Sequence, residues 1–190
     1  MTFSISLDRA IRRAKEAKEV RACEDDIDII SRFDSWDDFL KHKKAPYWFY
    51  WYSRYILKDR WCEIEPIIMK DPTWAYRYAR HVRKDRWPEA EPLIVENKGL
   101  GYFYALSVIR GRWPEAEQYI MRSPRWAYYY ALDIMHGRWP EAEPYIMRAP
   151  EWVFRYALSV LKDRWFEAES FIKQDDHWWE KYSHVFNITQ

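Results

Sequence analysis

Apolar residues recur along this chain at helical spacing. Within residues 125–136, Ala127, Tyr130, Ala131 and Ile134 stand at i, i+3, i+4 and i+7, which is one helical face. Tyr128, Leu132 and Met135 form a second apolar stripe beside it. A helix apolar on two sides fits between neighbours rather than on a surface. Gly137 is expected to end this helix and Gly111 its equivalent, with Asp59, Asp85 and Asp163 at the same place elsewhere. A second helix then starts at Trp-Pro-Glu, its proline in the first turn, where no amide bond is lost. The following Glu-x-Glu places acid at the positive end of the helix dipole. Pro92 and Pro144 lie deeper and predict a kink or a 3₁₀ start.

These helix pairs repeat. Arg-Trp falls at Arg60-Trp61, Arg86-Trp87, Arg112-Trp113, Arg138-Trp139 and Arg164-Trp165, a period of 26 residues. Glu63/Glu65, Glu89/Glu91, Glu115/Glu117, Glu141/Glu143 and Glu167/Glu169 keep the frame, as do Tyr52, Tyr78, Tyr104, Tyr130, Tyr156 and Tyr182. One hairpin of this size is too small to hold its own core, so stacking must supply it. Ala75, Ala105, Ala131 and Ala157 permit close helix approach. The expected fold class is all-α, an α-solenoid of tandem antiparallel helical hairpins. Residues 47–176 hold five repeats. Residues 1–46 hold a solvated capping helix over 6–20, started near Ser6 or Asp8, and a degenerate repeat over 21–46. Residues 177–190 form a C-terminal capping helix.

Composition narrows the function. The 190 residues carry 31 Lys and Arg against 30 Asp and Glu, a balance that argues against a general nucleic-acid or polybasic membrane binder. Aromatics make up 19%, with 13 Trp and 15 Tyr, and supply much buried area. Only 4 Gly are present, which disfavours Gly-rich phosphate loops. Cys23 and Cys62 read as free thiols in a reducing compartment. The N-terminus lacks an apolar segment of signal-peptide length, and no run is long enough for a membrane span. A cytoplasmic location without membrane contact is expected.

In order along residues 126–150, Gly137, Trp139, Ala142 and Pro150 follow the first helix, and Gly111, Trp113, Ala116 and Pro124 do so one repeat earlier. This arrangement resembles a tetratricopeptide repeat. That unit has about 34 residues, so the present one looks like such a hairpin with about one turn removed from each helix. The resemblance covers residues 47–190, and pentatricopeptide and Sel1-like units share its hairpin logic. The RWPEAE form is also similar to repeats in uncharacterised proteins of large tailed phages. The tetratricopeptide resemblance implies that first helices line a concave groove. By residue, it implies a row of Tyr50, Tyr76, Tyr102, Tyr128 and Phe154, a second of Arg54, Arg80, Leu106, Leu132 and Leu158, and a third of Leu57, Arg83, Ile109, Met135 and Leu161. Several rings of the first row are then expected to be partly exposed. The phage resemblance implies a host or defence protein as partner, or a structural role in the virion.

The residues offer little catalytic chemistry. Five identical Glu-x-Glu pairs fit a structural ion-pair ladder with the preceding arginines better than five acid/base or metal sites. Of the histidines His42, His81, His136, His177 and His184, only the last two are close, and their spacing of two helical turns does not suit a metal pair. No Ser or Cys is placed beside a His by any motif. Trp48, Trp74, Trp126, Trp152 and Trp178 could stack bases or methylated cations, but inter-hairpin core is the simpler reading. Arg54, Arg77, Arg80, Arg83 and Arg155 interleave with Tyr as in RNA-reading arrays, although most positions such arrays use for readout are here apolar or Arg. The chain is expected to be a non-catalytic protein- or peptide-binding scaffold without cofactor or metal. Single-stranded nucleic-acid binding is the alternative.

Overall fold

The computed structural model describes residues 3–17 and 24–188. Among these residues all regular structure is helical, with fourteen α-helices and no strand. The chain forms two compact units, one up to Ile94 and one from Val95 onward.

In the first unit, α1 (Leu7–Glu16) is capped by Ser6, whose hydroxyl accepts from the Arg9 amide. Leu7, Ala10 and Ala14 are buried, so α1 packs on the unit rather than standing solvated. Residues 18–20 of the expected capping helix, and Cys23, lie outside the described residues, whereas Cys62 is a free, exposed thiol. After α2 (Glu24–Ile30), α3 (Trp36–Phe39) begins at Ser35 and drives Trp36 into an aromatic cluster with Phe3, Phe49 and Trp61. Two hairpins follow. The first runs from α4 (Ala45–Tyr52) to α5 (Glu65–Ile68), and the second from α6 (Pro72–Tyr78) to α7 (Glu91–Val95).

The second unit repeats the motif as α8 (Lys98–Tyr104) with α9 (Pro114–Ile120), α10 (Pro124–Tyr130) with α11 (Glu143–Ile146), and α12 (Pro150–Tyr156) with α13 (Glu169–Ile172). A last helix, α14 (Asp176–Val185), follows. Within this unit α8, α10 and α12 each pack on their own second helix and on the next first helix, so that α8, α10, α12 and α14 contact one another in turn.

Every first helix ends in a feature the sequence pattern does not announce. The α-turns widen into one π-helical segment: Ser53–Leu57, Ala79–Arg83, Ala105–Ile109, Ala131–Met135 and Ala157–Leu161. Lys84 and Arg110 donate to carbonyls five residues back, on Ala79 and Ala105, both at 2.8 Å. The chain then reverses through a left-handed residue, Lys58, Lys84, Arg110, His136 or Lys162, with φ of 56 to 61°. The expected glycine closure is therefore displaced: the widened turn moves the reversal one residue earlier, and neither Gly111 nor Gly137 has a positive φ. Where Asp stands instead of Gly, its carboxylate accepts from the next amide, as from Arg60, Arg86 and Arg164, each at 2.7 Å.

The inner prolines behave as expected in part. Second helices with Pro66 and Pro144 open with a 3₁₀ turn, and the one with Pro92 begins its α-helix only at Glu91. With Gln118 in that place, α9 is continuous from Pro114. The hairpin with Ser170 also opens with a 3₁₀ turn, Phe166–Ala168, so proline is not its sole cause.

Candidate functional site

The Arg-Trp and Glu-x-Glu motifs build one clasp. Arg60, Arg86, Arg112, Arg138 and Arg164 each grip the second Glu of the pair five residues on, through two guanidinium nitrogens. The geometry is a bidentate fork on a carboxylate that is itself largely buried. The first Glu of each pair stays in solvent.

The recurring tyrosine joins this clasp to the next hairpin. Tyr78, Tyr130, Tyr156 and Tyr182 are wholly buried, and their hydroxyls accept from the amides of Trp61, Trp113, Trp139 and Trp165 at 2.6 to 2.9 Å. These amides lie at second-helix N-termini, where no helical partner exists. The hydroxyls of Tyr130 and Tyr156 donate in turn to Glu117 and Glu143. Burial, with a carboxylate nearby, raises the pKa of Tyr130 and Tyr156, and that of Tyr78 is pushed up to about 12. The expected ion-pair ladder is present, and one Glu of each pair is committed to it.

The first implied groove row is not exposed. Tyr50, Tyr76, Tyr102 and Tyr128 are between 4 and 7% accessible, and Phe154 is half-buried. The tryptophan of the following hairpin covers the ring: Tyr50 meets Trp74, Tyr102 meets Trp126, Tyr128 meets Trp152 and Phe154 meets Trp178, with centroids 5.4 to 5.8 Å apart. The physical reason is that these aromatics bury more area between hairpins than any exposed arrangement allows. Tyr102 also donates to Asp133 at 2.6 Å; burial and that carboxylate raise its pKa. The Trp row is thus inter-hairpin packing, as expected. Its rings also carry cations, Arg77 on Trp74, Arg125 on Trp126, Arg155 on Trp152 and Lys181 on Trp178, at 4.6 to 5.5 Å from the ring centroid.

The second implied row reaches the surface. Leu106 and Leu158 are 38 and 43% accessible, Arg80 is exposed, and Arg54 and Leu132 are half-buried. Phe103, which the groove assignment did not include, is exposed beside Leu106. A shift of one helical position from the buried ring row marks it, but only once that row's burial is known. In the third row Arg83 turns back to Glu65 at 2.8 Å, and Leu57, Ile109, Met135 and Leu161 are half-buried.

His81 titrates well below the ordinary imidazole value. Burial lowers its pKa to about 4, helped by Arg54, Arg80 and Arg77. Among the described residues, no group of three or more His, Cys, Asp or Glu could hold a metal ion, and no helix is long and apolar enough to cross a membrane. No family model, curated protein or solved structure matches the chain.

Proposed function

We propose that the chain is a non-catalytic, tetratricopeptide-like α-solenoid that binds a protein or peptide partner through the outward row Arg54, Arg80, Leu106, Leu132 and Leu158. The carrying observation is a contrast within one repeat. The clasp tyrosines and glutamates and the stacked rings are nearly constant and lie buried or half-buried, while the position beside them changes from Arg to Leu and reaches solvent at Arg80, Leu106 and Leu158. The 26-residue register continues in the sequence from residue 47 to 176, which supports a single array of hairpins. Exposed Phe103, Leu106 and Leu158 suit an amphipathic segment better than a polyanion. The committed Glu of each pair is held by Arg and cannot readily serve as acid or base. In a phage setting the proposed partner is a host or defence protein, met in the cytoplasm, with virion assembly as the rival role.

Affinity capture from the natural host, with and without nuclease, tests this reading. A discrete protein should be retained in both arms. Release of the captured material by nuclease, or submicromolar affinity for a single-stranded oligonucleotide at about 150 mM salt, would promote nucleic-acid binding instead.

A further inference from the structure

The outward surface of the first unit holds a cationic cluster that the clasps leave unneutralised. Arg54, Arg77 and Arg80 stand on its two first helices, and all three lie near enough to His81 to disfavour its proton. None of them has an ion-paired carboxylate among the described residues. Arg54 and Arg80 each give an N–H to a hydroxyl, of Tyr50 and Tyr76, and Arg77 lies 4.8 Å from the Trp74 centroid. The contrast with other arginines is direct. Arg155 occupies the repeat position of Arg77 and reaches Glu151 at 3.0 Å, but Thr73 stands where that Glu would be. Arg83, one residue row away, is neutralised by Glu65. Neighbouring guanidinium groups without counter-charge repel one another, and an anion bridging them removes that repulsion while taking their free N–H donors.

We propose that this cluster docks an acidic segment of a partner polypeptide, with Asp or Glu side chains accepting from Arg54, Arg77 and Arg80. The assignment rests on the scaffold reading above. The planar fork of Arg matches a carboxylate through two parallel bonds. A single-stranded nucleic acid fits less well. The Trp74 ring is already engaged by Arg77 and by Tyr47 and Tyr50, with ring centroids 4.9 and 5.5 Å away, so it is a poor platform for a base. So few cations also release few counterions. A shallow depression of about 470 Å³, lined by Lys43, Lys44, Tyr47 and Trp74, continues the basic rim and gives room for a chain to lie.

Fluorescence anisotropy on the full chain tests the assignment, with a labelled Glu-Gly repeat peptide, its Gln-Gly counterpart and an oligothymidylate of similar length, at about 150 mM salt. The Glu peptide should bind at least about tenfold more tightly than the Gln peptide. Arg77→Gln, and separately Arg54→Gln with Arg80→Gln, should each weaken it by about tenfold. The Arg77 side chain makes no hydrogen bond among the described residues, so its exchange remains informative if the double variant loosens the helices. Arg122→Gln, which removes an exposed cation outside both the cluster and the outward row, should leave Glu-peptide affinity unchanged. Equal affinity for the Glu and Gln peptides, or no Glu-peptide binding at about 1 mM, overturns the charge assignment and leaves the scaffold reading in place. Tightest binding to the oligothymidylate overturns both.

Discussion

At one repeat position the first unit presents Arg54 and Arg80, and the second presents Leu106, Leu132 and Leu158. Beneath that position the two regions are built alike. Tyr78 in one and Tyr130 and Tyr156 in the other receive the same Trp amide, and bidentate Arg–Glu pairs recur in both. The comparison separates two kinds of residue. Those fixed by the clasp cannot change without orphaning a buried donor or carboxylate, whereas the outward position carries little of the frame and is free to set recognition.

If the frame is common, equivalent deletions should cost the same in both regions. Tyr78→Ala and Tyr130→Ala each remove a fully buried ring and the acceptor of a Trp amide. Each should cost about 3–5 kcal/mol in chemical denaturation. A loss confined to one of them would break the comparison. Tyr102→Ala and Tyr128→Ala should also cost about 3 kcal/mol or more, since these rings are packed under tryptophans.

The next effect separates the regions. His81 exists only in the first unit, and Ser107, Asp133 and Ser159 occupy its equivalents in the second. Its folded pKa of about 4 lies below the ordinary imidazole value, so the unfolded chain binds the proton more readily. The stability it contributes is present above the ordinary value of about 6.5 and is lost as pH falls toward 4. Partial exposure reduces the size to on the order of 1–2 kcal/mol. His81→Gln should flatten the dependence of Tm on pH in that window, and an unchanged profile would remove His81 from the account.

Smaller effects sharpen the frame itself. Lys162→Gly relieves a left-handed residue and should stabilise by about 1 kcal/mol. Gly111→Asp and Gly137→Asp enter open space at ordinary φ and add a carboxylate acceptor for the next amide, so thermal melts should rise by roughly 0.5 kcal/mol equivalent. Leu158→Arg, which gives the second region the residue of the first, should change stability by no more than about 0.5 kcal/mol.

The all-helical character was legible because Pro, Ala and the apolar spacing all act locally. The Arg–Glu ladder was legible because its partners are five residues apart on one turn of chain. The tyrosine clasp was not, since Tyr130 meets Trp113 across a hairpin boundary and no local pattern names an amide as the partner. The π-helical widening also escaped, because a segment such as Ala131–Met135 has an ordinary helical composition; its signature is a backbone bond between residues five apart. The groove assignment put Tyr102 and Tyr128 at the surface, as an aromatic with a hydroxyl suits either place. Only the Trp of the next hairpin, laid over each ring, decides for burial.

The central claim, that recognition lies on the outward row rather than on the buried rings, is tested most directly by quantitative capture with a surface variant. Leu106→Asp with Leu158→Asp alters two exposed side chains, and circular dichroism should show an unchanged fold. Glu115→Gln with Glu141→Gln, at exposed positions outside the row, serves as the control. The account predicts that a protein retained by the wild type and by the control is retained at least about tenfold less by the aspartate variant. Equal retention by all three proteins would contradict it.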